Sequence, residues 1–129
     1  MGAAAYAGIP LTHRLFASSV VIVTGHEDPA KGEPTVNWGK IAFAADTIVI
    51  LMGIETLPQI VSILNQSGLR IDTNVAVIEN ATTIRHREII GNLGNIVRKA
   101  DNAKVKSPAI IIIGKVVTLR KKLGWFYKN

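Results

Sequence analysis

Gly8 to Glu27 reads Gly-Ile-Pro-Leu-Thr-His-Arg-Leu-Phe-Ala-Ser-Ser-Val-Val-Ile-Val-Thr-Gly-His-Glu. Gly8 and Pro10 predict a rigid turn, because glycine permits positive φ and proline fixes its own. Thr12, His13 and Arg14 then gather a hydroxyl, an imidazole and a guanidinium. Val20 to Val23 follows as four successive β-branched residues and stops abruptly at Thr24-Gly25-His26-Glu27. A β-branched run without polar alternation predicts a strand over 19–24 buried on both faces. Polar cluster, buried strand and polar strand end, in that order, point to a site built at a sheet's edge.

Outward from this stretch, strands and helices alternate. Upstream, the alanine-rich Gly2 to Tyr6 reads as the last turns of a helix. Downstream, Glu27 to Pro34 is a loop with Asp28-Pro29 and Lys31-Gly32 as turn formers. Asn37 is placed to cap a short helix over 38–45. Thr47 to Leu51 is a second strand, ending at Met52-Gly53. Thr56 is a candidate N-cap for a helix whose Leu57, Ile60, Val61 and Leu64 fall at i, i+3, i+4 and i+7, with Gly68 as its stop. A third strand spans 74–78 and a fourth 87–91. Leu93, Ile96, Val97 and Ala100 repeat the helical spacing after a possible Asn92 cap, and 109–117 forms the last strand. The alternation predicts an α/β fold with a mixed, largely parallel sheet and flanking helices, all in one domain over 1–129.

The early strands end on small or amide residues: Thr24-Gly25, Met52-Gly53, Glu79-Asn80-Ala81. Ligands of open α/β sheets bind outside the carboxyl ends of strands, and small residues there let a flat ligand approach the main chain. Plain turn chemistry explains the same residues equally well, since Gly and Asn end strands readily.

Composition narrows the function. A chain of 129 residues with 48% apolar and 19% charged residues has enough core to fold. The absence of cysteine removes disulfides, thiolate metal sites and thiol catalysis, and fits a reducing cytoplasm. The amino terminus lacks the basic and apolar regions of a signal peptide, and no apolar run is long enough to cross a bilayer, so no membrane partner is expected. The net charge of +6 fits a solvated basic surface, a polyanionic small substrate or nucleic acid. With 5% aromatics and no basic-aromatic interleaving, nucleic acid is the weakest of these.

Most catalytic motifs are absent. No G-x-G-x-x-G or Walker A sequence follows a strand, and Gly91-Asn92-Leu93-Gly94 reads as a turn. His13, His26 and His86 lack metal-ligand spacing, so no metal is expected. Ser18-Ser19 lacks the nucleophile elbow. Glu79, at a strand end, is the best acid candidate, with a loop-bracing hydrogen bond as its commoner role.

Several segments together resemble the uroporphyrinogen-III C-methyltransferases. They include Ala5-Tyr6-Ala7-Gly8-Ile9-Pro10-Leu11-Thr12-His13-Arg14, Ala17-Ser18-Ser19-Val20 and Thr24-Gly25-His26-Glu27. Met52-Gly53, Val75 to Thr83, Pro108-Ala109 with the apolar run to Gly114, and Val116-Val117-x-Leu119-Arg120 with Trp125-Phe126 continue the likeness. It runs from about Ala3 to Phe126, and the ordered pair Ile-Pro-Leu-Thr-His-Arg and Thr-Gly-His-Glu is specific to this group within the tetrapyrrole methylases.

The resemblance implies methyl transfer from S-adenosylmethionine to uroporphyrinogen III, giving precorrin-2 for sirohaem and cobalamin, by a homodimeric two-domain α/β enzyme. By position, Met52, Ala81 and Ala109 match cofactor-contacting residues, largely through backbone atoms; S-adenosylhomocysteine is the corresponding product ligand. Thr12, His13 and Arg14 are the substrate-binding candidates, with Arg85 and Arg87 beside them. The substrate carries eight carboxylates, which a basic cleft would steer.

The family's N-terminal domain, with its Gly-Gly-Asp cofactor loop and proposed acidic base, has no counterpart in this sequence. Residues 1–18 then resemble the inter-domain helix and hinge, and 19–129 the C-terminal domain. The expectation is a chain inactive alone that binds cofactor weakly or not at all, with apolar surface uncovered and a tendency to self-associate. The alternative is a non-catalytic α/β module for ligand binding or dimerisation.

Overall fold

The computed structural model describes residues 2–25 and 36–119. In chain order the elements are α1 (Gly2–Ala7), β1 (Val20–Thr24), α2 (Trp38–Ile41), β2 (Thr47–Leu51), α3 (Leu57–Gln66), β3 (Asn74–Glu79), β4 (Arg87–Asn92), α4 (Ile96–Asn102) and β5 (Ala109–Ile113), then a 3₁₀ helix (Lys115–Leu119). His26, Glu27, the expected loop over 27–34, Arg120, Trp125 and Phe126 lie outside the described residues.

The strands form one five-stranded sheet in the order β1-β2-β5-β3-β4. The α/β class and the mixed sheet match the sequence expectation, but the pairing is mostly antiparallel. Only β1–β2 is parallel; β2–β5, β3–β5 and β3–β4 are antiparallel. The helical crossovers do send β1, β2 and β3 in one direction. β5 then inserts between β2 and β3 running the other way, and β4 returns beside β3 as a hairpin arm. No local signal announces that insertion, because it is made by pairing residues far apart in sequence.

Both faces of the central strands are covered, which explains their unbroken apolar runs. On one face, Ile48, Ile50, Val75, Val77, Ile111 and Ile113 pack with Leu57, Ile60, Leu64 and Ile96 of α3 and α4. On the other, Val49, Ala76, Ile78 and Ile112 meet Ala3, Ala4 and Ala7 of α1, with Ile9, Val116 and Val117. β1 departs from the expectation of burial on both faces. It is an edge strand, and Ile22, which shares a small hollow with Ala3 and Ala4 of α1, is 49% exposed.

Local capping accounts for most boundaries. Asn37 caps α2 as expected, its Oδ1 accepting the Lys40 amide at 3.1 Å, but α2 ends at Ile41 rather than near Ala45. Thr56 stands at the N-cap of α3 without capping through its side chain; its hydroxyl donates instead to the Gly25 carbonyl at 2.7 Å. α4 begins after Asn95, not after Asn92. The two asparagines exchange amide-to-side-chain bonds of 2.8 and 3.0 Å, closing a turn that takes Leu93 out of the helix. The last strand stops at Ile113 instead of running to Val117, because Gly114 turns the chain at φ +147° into the 3₁₀ helix. Gly8 makes the predicted turn at φ +76°.

Candidate functional site

Because β1, β2 and β3 run together, their carboxyl ends share one edge of the sheet, where β5 begins. A cleft of about 610 Å³ opens there, on the α1 side. Its apolar floor is Leu51, Ile78 and Ile110, and its rim includes Met52, Asn80, Ala81, Thr83, Pro108 and Ala109. Met52, Ala81 and Ala109, singled out from three separate parts of the sequence, therefore line one cavity. Met52 and Asn80 are left-handed, at φ +55° and +50°, and so is Thr82 at +63°. Three non-glycine residues in this sparsely populated region bracket the cleft, an arrangement that the surroundings must hold in place.

Thr12, His13 and Arg14 are not among the residues lining this cleft. They sit in a turn closed by the His13–Ala17 bridge, where the His13 amide donates to the Ala17 carbonyl at 2.6 Å. The His13 ring stacks on Phe16, with centroids 5.0 Å apart. Phe16 borders a different hollow with Phe43, Asp46 and Gly114, at the opposite edge of the sheet where β1 and β2 begin. At that edge the Asp46 carboxylate ties the starts of the two strands together. It accepts the Ser18 amide at 2.9 Å and the Ser18 hydroxyl at 3.1 Å, and these bonds hold its carboxyl below the usual range.

The strand-end residues divide by role. Gly25 and Gly53 lie against each other: a Cβ on Gly25 would strike Gly53 Cα, and one on Gly53 would lie 2.6 Å from Ile50 Cγ2. Their smallness is required by packing. Ala81 lies on the α1 side of the sheet with the cleft, whereas Ala109 borders the cleft from the start of β5 while its side chain belongs to the core beneath α3 and α4.

Glu79 is a brace. Its Oε1 accepts Arg87 Nε at 2.8 Å and its Oε2 accepts the Lys106 amide at 2.6 Å. Burial pushes its carboxyl up, but the Arg87 guanidinium and the Lys106 amide outweigh burial and hold it below 4.5. The brace ties the end of β3 to the start of β4 and to the segment entering Pro108, on both sides of the cleft. Arg87 is thus engaged with Glu79, whereas Arg85 is exposed on the 80–86 loop that carries Ala81.

His86 is the residue that sequence reading undervalued. Its side chain is fully enclosed, with Nε2 2.6 Å from Glu88 Oε2 and Nδ1 accepting the Thr82 amide at 3.2 Å. The signal was the spacing of His86 and Glu88, which places both side chains on one face where β4 starts. Among the described residues no three His, Asp or Glu side chains come together as a metal site, and no helix is long and apolar enough to cross a membrane.

The family model of the Tetrapyrrole (Corrin/Porphyrin) Methylases matches residues 1–97 of the 129. The chain belongs to the tetrapyrrole methylases. It is 48% identical over 120 residues to the S-adenosyl-L-methionine-dependent uroporphyrinogen III methyltransferase of Methanosarcina barkeri, covering 93% of this chain and 47% of that protein. It is 47% identical over 125 residues to the siroheme synthase of Pseudoalteromonas atlantica, covering 97% of this chain and 27% of that one. Among solved structures, the uroporphyrin-III C-methyl transferase from Thermus thermophilus complexed with S-adenyl homocysteine superposes with a TM-score of 0.75 at 27% identity, over 88% of this chain and 49% of that one. This tetrapyrrole methylase chain therefore spans about half the length of its methyltransferase relatives and about a quarter of the siroheme synthase.

Proposed function

We propose that this chain supplies one half of an S-adenosylmethionine-dependent uroporphyrinogen-III C-methyltransferase acting in sirohaem or cobalamin biosynthesis. The observation that carries the reading is the convergence of Met52, Ala81 and Ala109 on one cleft at the carboxyl ends of β2 and β3. The Thermus structure, complexed with S-adenyl homocysteine, and the name of the Methanosarcina relative support that cofactor. The cleft is open and floored by apolar side chains, which suits a flat ligand seated against main chain.

S-adenosylmethionine held in the cleft would supply its sulfonium methyl to a substituted ring carbon of the tetrapyrrole, with the carbon–sulfur electron pair passing to sulfur and the balancing proton lost from elsewhere on the macrocycle. Positioning of the two reactants is the main demand of such an in-line displacement. This chain contributes the cofactor wall, and its net charge of +6, with Arg85 on the cleft loop, favours a polycarboxylate substrate. Thr12, His13 and Arg14 would serve substrate binding only from their own turn, reaching the tetrapyrrole in an assembly that extends past this chain. The exposed strip of Ile22, Leu51 and Met52 supports association with a second copy or with the other half of the enzyme.

Calorimetry with S-adenosylhomocysteine tests this, on the chain alone and with the separately produced N-terminal half of a methyltransferase relative. Binding that appears or strengthens with the added half, and is abolished by Ala81→Phe on the cleft rim, is the expected result. No binding under either condition overturns the assignment and leaves the non-catalytic module.

A further inference from the structure

We infer that His86 is a positioning residue for the cleft wall, acting through the Thr82 amide; the inference rests on the cleft reading above. Ala81 lies between Asn80 and Thr82, and both of these adopt left-handed backbone conformations, φ +50° and +63°. For a β-branched residue such as Thr82 this conformation is a genuine outlier, and it persists only where neighbours hold it. The Thr82 amide donates to His86 Nδ1 at 3.2 Å. From the other end of the same loop, the His86 amide donates to the Thr83 carbonyl at 3.0 Å.

The imidazole is enclosed, its side chain 0% exposed, so it touches no ligand directly. Accepting at Nδ1 requires the Nε2–H tautomer, and Glu88 Oε2, 2.6 Å from Nε2, receives that proton's hydrogen bond. Glu88 orients the ring, the ring holds Thr82, and Thr82 sets the position of Ala81 on the rim. Opposite polar ends of one buried ring thereby link the start of β4 to the cleft.

Two substitutions separate the ends of the ring. His86→Asn puts Oδ1 where Nδ1 stood, keeping an acceptor for Thr82 and losing the Glu88 bond. His86→Gln puts an amide nitrogen where Nε2 stood, keeping the Glu88 donor and losing the acceptor. The expected result, in nitrogen-15 NMR of the unliganded chain, is Thr82 amide exchange roughly tenfold faster in His86→Gln, with the Ala81 and Thr83 resonances displaced. His86→Asn should leave all three close to wild type. The reverse order would show that His86 acts through Glu88 alone and would overturn the inference. Ring nitrogen shifts of the wild-type chain give an independent answer: the Nδ1–H tautomer contradicts the inference even if neither variant folds. With S-adenosylhomocysteine, affinity should fall about tenfold in His86→Gln and hold in His86→Asn. If the wild-type chain and its complemented form both fail to bind, the cleft assignment fails, while the exchange and tautomer measurements still decide the role of His86.

Discussion

Replacing Glu79 by Gln should destabilise the fold at neutral pH and leave it unchanged in acid. The carboxylate accepts from Arg87 Nε at 2.8 Å and from the Lys106 amide at 2.6 Å, and the residue is buried at 7% exposure. Glutamine keeps the shape but offers one oxygen in place of two. Its amide NH₂ must then face a donor, either the guanidinium or the Lys106 N–H. One charge-assisted bond is lost and one buried donor is left unsatisfied, a cost of about 2 kcal/mol. For a domain of this size that corresponds to a melting temperature about 7 °C lower.

The sign with pH follows from the direction of the shift. The folded-state carboxyl lies below its ordinary value of 4.5, so its contribution is fully present above that value and is lost as pH falls through the folded one. Thermal unfolding of both proteins from pH 7 to pH 3 should show curves that differ at the top of this range and converge at the bottom. A constant gap across the whole range, or no gap at pH 7, would refute the brace and return Glu79 to the status of a free acid.

Gly53→Ala should cost about 2 kcal/mol, because the new Cβ lands 2.6 Å from Ile50 Cγ2 and 3.1 Å from Ile111 Cδ1 in a filled core. Gly25→Ala should cost more, since the obstruction is Gly53 main chain; denaturant midpoints read both, and equal, negligible losses would contradict the packing role. Asp46→Asn should lower the melting temperature at pH 7 and converge with wild type as pH falls below the carboxylate range, since Ser18 and Ser19 hold the carboxyl down. Leu64→Ala, at a side chain with no exposure beneath α3, should cost about 3 kcal/mol in the same denaturant assay.

Elements specified by local pattern were legible in the chain. The apolar run of 47–51 is β2, and the i, i+3, i+4, i+7 set of Leu57, Ile60, Val61 and Leu64 is the buried face of α3. Elements specified by distant partners were not. β5 reads as a single strand to Val117 because Val116 and Val117 are as apolar as Ile111–Ile113. What ends it is the turn at Gly114, where a Cβ would lie 2.7 Å from the Asp46 carbonyl on another segment. The Val20–Val23 run looks like a central strand, yet β1 is an edge. An apolar strand is equally apolar whether its cover is present within the described residues or lies beyond them.

The strand ends carry the sharpest version of this limit. Gly25, Gly53, Ala81 and Ala109 share one sequence signature, a small residue at a strand terminus, and either turn chemistry or ligand approach accounts for it. The fold assigns them differently by what a larger side chain would meet. At Gly25 and Gly53 it meets main chain and the core, so these positions let β1 and β2 close against each other and are already filled by the protein. At Ala81 it lies on the side of the cleft, and at Ala109 it would enter the core beneath α3 and α4 while the main chain borders the cleft. The brace of Glu79 and the enclosed ring of His86 fix the segments bearing these two alanines, and both act across turns whose closure no linear pattern specifies. Smallness in the sequence therefore marks the edge at which the site lies. The partners of Glu79 and His86 mark which part of that edge is held open for a ligand.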